Sequence, residues 1–246
     1  MINIRKTFAS SLLLLSTLAF ASDSHWGYEG QDSPEHWGEL NDEYKLCANG
    51  QNQSPINITS SLHANLKPIK FHYTTSPNEI LNNGHTVQIN IDKGSYIEVD
   101  GEKYELLQYH FHTPSENNIH GKSYPLELHL VHASKDNHLA VVGVMFDRGE
   151  PNSQLEQLWA HMPYKTGQKE RLKSVATDLN KLLPKDRAYY RFNGSLTTPP
   201  CTEGVKWFVL SHPMSISKDE VKKFEKAVHG HNNRPIQSLN ARTIVD

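Results

Sequence analysis

Two histidines stand one residue apart, His110 and His112, inside Gln108-Tyr109-His110-Phe111-His112. A third, His129, sits in Leu126-Glu127-Leu128-His129-Leu130-Val131-His132. Both runs read as β-strands, in which side chains at i and i+2 share a face. His110 and His112 can therefore aim two imidazoles at one point, and a neighbouring strand can bring His129 to it. Three neutral nitrogen ligands leave the fourth position of a tetrahedral zinc ion open to water, the arrangement of a catalytic rather than a structural zinc site. Water bound to such a zinc ion loses a proton near neutral pH and yields a hydroxide nucleophile. With 15 histidines in the chain, one His-x-His pair alone carries little weight. The surrounding residues carry the rest.

The elements that must position these groups are mostly strands. Apolar and β-branched runs occur at 69–73, 86–91, 95–99, 104–112, 124–132, 139–146 and 205–210, punctuated by turns at Asn82-Asn83-Gly84 and Asp100-Gly101. Helices are few. Ser153-Gln154-Leu155-Glu156 reads as a capping box before Leu158 and Trp159. Leu172, Val175, Leu179 and Leu182 have helical spacing up to Pro184. Ser217-Lys218-Asp219-Glu220 is a second capping box, leading into Val221, Phe224 and Val228 with Gly230 as C-terminal cap. Residues 23–60, rich in Gly, Pro, Asn and Gln, read as ordered coil. The expectation is a mainly β protein in a single domain.

The amino terminus has a different role. Arg5 and Lys6 precede a mostly apolar stretch from Phe8 to Phe20, and Ala19-Phe20-Ala21 forms an A-x-A cleavage signal before Ser22. Residues 1–21 read as a secretory signal peptide, too short in its apolar part to favour a membrane span. Residues 22–246 are then the mature domain, exported to the periplasm or extracellular space. The formal charge of −2 becomes more negative once Arg5 and Lys6 are removed. No basic tract points to nucleic acid or an anionic membrane, and no membrane span is expected after processing. Cys47 and Cys201 are the only cysteines. In an exported chain an even pair suggests one disulfide, the alternative being two free thiols.

From about Trp26 to Arg242 the chain resembles the α-class carbonic anhydrases. The resemblance rests on Trp26-Gly27-Tyr28, Pro34-Glu35-His36-Trp37, Asn52-Gln53-Ser54-Pro55-Ile56-Asn57-Ile58 and Asn83-Gly84-His85, then on the two histidine runs and Ser115-Glu116. Gly194-Ser195-Leu196-Thr197-Thr198-Pro199-Pro200 and Asn232-Asn233-Arg234-Pro235 complete the set. It implies a twisted, mostly antiparallel ten-stranded sheet with a few short peripheral helices and a zinc ion in a cone-shaped cleft. It also implies reversible hydration of carbon dioxide to bicarbonate and a proton through zinc-bound hydroxide. Anions and sulfonamides are the inhibitors implied, and a homodimer the assembly suggested by bacterial relatives.

The resemblance distributes further roles. The Gln108 side chain, the Glu127 carboxylate and the Asn240 backbone carbonyl are expected to hold the three ligand rings; by strand parity Gln108 goes with His110 and His112, and Glu127 with His129. Glu116 and Thr197 match the family's gatekeeping pair, in which the threonine donates to the carboxylate and accepts from the hydroxide. Val131 shares the parity of His129, and the resemblance adds Val141, Leu196 and Trp207 as an apolar substrate pocket, with Thr198 against bicarbonate. His85 matches the proton-shuttle position, and Tyr28, Asn83 and Gln88 match residues that order the water wire. Gln88 departs from the asparagine of some members, which puts the shuttle rate rather than hydration itself in question. His132 has the opposite parity to His129 and is expected in the core. A binding module on the same fold would lack a ligand, and a zinc carrier would need no gatekeeper; the complete set here favours the enzyme.

Overall fold

In the computed structural model, which describes residues 25–246 apart from 173, 174 and 176, the alternating runs become strands. The expected signal peptide lies outside the described residues. In chain order the strands are β1 (Asn57–Ile58), β2 (Lys70–His72), β3 (Pro77–Asn82), β4 (Val87–Ile91), β5 (Tyr96–Val99), β6 (Glu102–His112) and β7 (Asn118–Ile119). There follow β8 (Leu126–Ala133), β9 (Leu139–Arg148), β10 (Lys169–Arg171), β11 (Tyr189–Ser195), β12 (Glu203–Leu210) and β13 (Met214–Ile216). Eleven of them form one sheet, in the order β10-β3-β4-β6-β8-β9-β12-β11, with β5 on β6, β2 on β5 and β13 on β9. Only β12 and β13 run parallel to their neighbour β9; the other pairings within this sheet are antiparallel. The mainly β expectation holds, with eleven strands assigned where the resemblance implied ten.

Period-two alternation decides what each face of the sheet carries. Tyr109 and Phe111 of β6, Leu128 and Leu130 of β8, Val142 and Val144 of β9, and Phe208 and Leu210 of β12 join the larger apolar core. Helices α1 (Trp37–Leu40) and α2 (Leu46–Asn49) precede the sheet, and two later ones cover that core: α3 (Ser153–Trp159), through Leu155 and Leu158, and α4 (Lys218–Ala227), through Phe224. The residues that alternate with these along the strands point to the other face, where Val141, Met145, Val205, Trp207 and Val209 form a second cluster. His110, His112 and His129 fall on this second face. His132, of opposite parity, is fully buried on the first, with Nε2 2.9 Å from the Tyr73 hydroxyl.

The helix ends correct two sequence readings. α4 begins on the expected capping box, Ser217 with Glu220, and Gly230 at φ 132° follows its end. At α3 the cap is instead Asn152, whose side chain accepts from the N–H groups of Gln154 and Leu155. A carbonyl one residue earlier satisfies the free amide groups that Ser153 was expected to meet. The spacing from Leu172 to Leu182 yields no α-helix among the described residues. Only a 3-10 turn forms over Leu179–Leu182, capped by Asp178, while β10 takes up Lys169–Arg171 as an edge strand on β3. Leu172, Leu179 and Leu182 are nevertheless buried in the larger core, so the pattern marked burial without marking helix.

Candidate metal centre

Register brings the three histidines together. His110 lies directly opposite His129 on β8, and His112 lies opposite Glu127. Directly opposed residues on one face of an antiparallel pair hold their Cβ atoms about 4.5–5.5 Å apart. One ligand atom from each of His110, His112 and His129 falls within 4.8 Å of the others.

The outer nitrogen of each ring has an oxygen beside it. Nδ1 of His110 lies 2.9 Å from Oε1 of Gln108, and Nδ1 of His112 lies 2.7 Å from the carbonyl oxygen of Asn232. Nε2 of His129 lies 3.0 Å from Oε1 of Glu127. Amide oxygens only accept hydrogen bonds, so they place the ring proton of His110 and His112 on Nδ1 and leave the Nε2 lone pair free. The Glu127 carboxylate stands on the Nε2 side of His129 at ion-pair distance. The nitrogens turned away from these oxygens, Nε2 of His110 and His112 and Nδ1 of His129, are then the ones free to bind a metal. Nε2 of His112 is buried with no hydrogen-bond partner among the described residues. An unpaired buried polar atom costs about 1–3 kcal/mol, and a cation bound by these lone pairs removes that cost. The donor set, all nitrogen, suits zinc.

This geometry corrects one expectation. The carbonyl on His112 is that of Asn232 rather than Asn240. Asn240 is exposed, and its side chain donates to the carbonyl of Gln51. Asn232 is buried, and its side chain brackets the ligand strand by accepting from the Thr113 N–H and donating to the Phe111 carbonyl. Those bonds fix its own carbonyl over the His112 ring.

Glu127 is held in turn. One oxygen accepts from the N–H groups of Glu116 and Asn117, and the other from the Asn117 side chain, all at 2.8 Å. The carboxylate lies beside Gly143 of β9, where an added Cβ would stand 2.9 Å from Oε1 of Glu127. Neither Asn117 nor Gly143 carries a sequence signal for this task; only the register of β8 on β9, His129 opposite Gly143, exposes it. Gly143→Ala is expected to push the carboxylate off His129 and weaken zinc binding by roughly 10–100-fold, the general range for groups that support metal ligands. Chelator competition on folded protein measures this, and an unchanged affinity would refute the cradle role.

Glu116 occupies the space between two rings, 3.5 Å from His112 and 3.9 Å from His129. Burial pushes its carboxyl up to about 8, while the Arg234 N–H, at 2.8 Å, and the Thr197 side chain pull it down. Burial likewise pushes Glu127 up to about 7 against its donors from Asn117. Burial holds His110 and His129 well below the usual imidazole range, aided by repulsion from neighbouring rings, and lowers His112 against the Asn232 carbonyl. Burial takes His132 down to about 3.

In zinc-stripped protein these shifts oppose one another. The four histidines gain protons only on unfolding, so they make stability rise as pH climbs toward 6.5. Glu116 and Glu127 keep protons that the unfolded chain has lost above 4.5, so they make stability fall up to about 8. Above about pH 7 the imidazoles are largely neutral in both states and only the two carboxyls still act, so the melting temperature of metal-free protein is expected to fall between pH 7 and 8. A steady rise through pH 8 would contradict these environments.

A cavity of about 130 Å³ opens onto the rings and is lined by Tyr28, Asn83, His85, Gln88, Gln108, His110, His112 and Thr198, among others. The structure thus brings the expected shuttle and water-wire residues to the ligand rings. Gln88 lies opposite His110 on β4. The Asn83 side chain caps the turn, accepting from the N–H groups of His85 and Thr86. The His85 ring stacks flat on Trp26, 3.6 Å between centroids, and burial together with nearby His25 lowers its pKa. On the other side, Val131 and Leu196 pack partly buried against the cluster holding Val141 and Trp207, and the Trp207 ring meets His129 edge-on at 4.9 Å. The turn carrying Thr197 is closed by bonds from Leu196 N–H to the Thr202 carbonyl and from Cys201 N–H to the Thr198 carbonyl. Cys201 is joined to Cys47 by a disulfide, as the exported reading expected.

Known proteins share both the sequence and this architecture. Residues 32–246 match the family model described as eukaryotic-type carbonic anhydrase. A carbonic anhydrase of Klebsiella pneumoniae is 47% identical over 246 residues, covering 99% of this chain and 99% of that protein. One from Neisseria gonorrhoeae is 45% identical over 243 residues, covering 96% of each. The α-carbonic anhydrase of Thermovibrio ammonificans, solved in complex with the inhibitor sulfanilamide, superposes with a TM-score of 0.89 at 45% identity, covering 92% of this chain and 100% of that one. Dioscorin complexed with ascorbate shares the fold at 30% identity and a TM-score of 0.83, over 90% of this chain and 97% of that one. The fold alone does not decide activity, and the site must.

Proposed function

This chain belongs to the eukaryotic-type, or α, carbonic anhydrase family and is a carbonic anhydrase, and from that premise we propose that it hydrates carbon dioxide with a zinc ion held by His110, His112 and His129. The observation that carries the reading is the convergence of three imidazoles, one nitrogen from each within 4.8 Å of the others and an oxygen beside the far side of each ring. When bound, zinc acidifies its water to about 7, a figure for which carbonic anhydrase is itself the standard example, and so supplies the nucleophile at neutral pH.

The chain's own groups do the rest. With its hydroxyl proton directed at Glu116, Thr197 would offer only an acceptor to anything bound at the three histidines. It thereby favours a metal ligand that carries a proton and orients that ligand's lone pair toward substrate. The charge of a zinc ion held by the three neutral imidazoles would favour the ionised form of Glu116 that this requires. Val131, Val141, Leu196 and Trp207 offer an apolar wall to carbon dioxide, and Thr198 a polar contact to bicarbonate. The proton leaves along Tyr28, Asn83 and Gln88 to His85, whose imidazole can both accept and release it. His85→Ala is expected to lower kcat roughly tenfold to a hundredfold in dilute buffer while leaving kcat/KM close to wild type, with imidazole buffer restoring part of the rate. No dependence on buffer would remove His85 from the path.

We also propose that residues 1–21 direct export and are cleaved, which the mass of the mature protein would test, and that the site takes primary sulfonamides. The test of the main reading is stopped-flow carbon dioxide hydration on metal-quantified protein. One zinc per chain, with activity blocked by sulfanilamide, supports it. Fully zinc-loaded protein without hydration would overturn it.

A further inference from the structure

The segment from Asn232 to Arg234 lies in neither helix nor strand, yet it supplies one backbone group to each half of the site. The carbonyl of Asn232 takes the Nδ1 proton of His112, and the N–H of Arg234 donates to Oε1 of Glu116 at 2.8 Å. An irregular segment has no ladder of its own; apart from the bond from the Asn232 N–H to the Thr113 carbonyl, the side chains at its ends hold such groups in place. Asn232 is tied to the ligand strand through Thr113 and Phe111. The other end depends on the Arg234 side chain.

That side chain is fully buried, which is rare for arginine unless it is paired. Its guanidinium donates to Oε1 of Gln53 and to the carbonyls of Ser54 and Cys47, each at 2.8 Å, and lies 5.7 Å from the Trp37 ring centre. Gln53 in turn donates to the Cys201 carbonyl. One forked cation thus grips both sides of the disulfide, and Arg234 is also the nearby positive charge that favours ionised Glu116.

We infer that Arg234 is a positioning residue for the metal centre, fixing through its guanidinium anchors the two backbone groups that hold His112 and Glu116. Loss of the fork frees the segment, loosens the His112 ring and lets zinc escape faster. The inference rests on the zinc reading above. Lysine keeps the charge but offers no planar fork to three acceptors, so charge alone does not substitute.

The test compares Arg234→Lys and Arg234→Met with Leu158→Ala, a truncation of a core residue of α3 on the face of the sheet opposite the three histidines, at matched loss of melting temperature. The readouts are zinc transfer to a chelator and the visible spectrum of the cobalt-substituted protein, with added guanidinium ion at low millimolar concentration as a rescue of Arg234→Met. Zinc loss about tenfold or more faster in both arginine variants, an altered cobalt spectrum, and partial rescue by guanidinium are the expected results. Leu158→Ala should show none of them. Arginine variants that release zinc no faster than Leu158→Ala would overturn the assignment. If Arg234→Met does not fold, Arg234→Lys decides alone. Wild-type protein that takes up no zinc would sink the metal reading itself, a failure visible before any variant is made.

Discussion

His129→Ala is expected to leave the protein with little zinc and almost no hydration activity. The substitution removes one of three donors and does more harm besides. It strips Glu127 of the ring nitrogen 3.0 Å away, leaving a fully buried carboxylate with only the donors from Glu116 and Asn117. Supporting groups of a metal site cost roughly 10–100-fold in affinity when removed, and loss of a ligand must exceed that. Metal content per chain and stopped-flow hydration on the same sample measure the result. Wild-type hydration per mole of variant protein would show that His129 is not a ligand.

Removing the Cys47–Cys201 disulfide should produce the largest stability change. The bond closes a loop of 154 residues. The chain-entropy model gives about 4–5 kcal/mol for a loop of this size, against a typical total of about 5–15 kcal/mol. The melting temperature of Cys47→Ser/Cys201→Ser should fall by roughly 10 °C or more. Cys201 also closes the turn carrying Thr197, through its N–H to the Thr198 carbonyl, so activity at moderate temperature should fall before the fold is lost. A double variant melting with the wild type would show that packing, not the cross-link, holds residues 47 and 201 together.

What the sequence disclosed follows from periodicity. Alternation along β6, β8 and β9 separates Tyr109, Phe111, Leu128 and Leu130 from the histidines, so the ligand face was legible from residue types alone. The same logic failed where strands are short or irregular. Tyr189–Ser195 breaks its alternation and carries a register shift at Gly194/Ser195, and Pro77–Asn82 has a shift of its own against β4. Partners contributed by distant coil were illegible for a different reason. Asn232 lies 120 positions from His112 and Arg234 lies 118 from Glu116; no local pattern records which carbonyl or amide a folded segment will deliver. The family resemblance marked residues 232–235 without giving them a task, and it placed on Asn240 a role that falls to Asn232.

Three rings must close on one metal ion for this chemistry, and X-ray absorption at the zinc edge tests that closure most directly. The expected spectrum is three imidazole nitrogens at about 2.0–2.1 Å with one further oxygen from solvent, losing one nitrogen in residual metal-bound His129→Ala. A zinc ion coordinated by four protein side chains, or by sulfur, would contradict it.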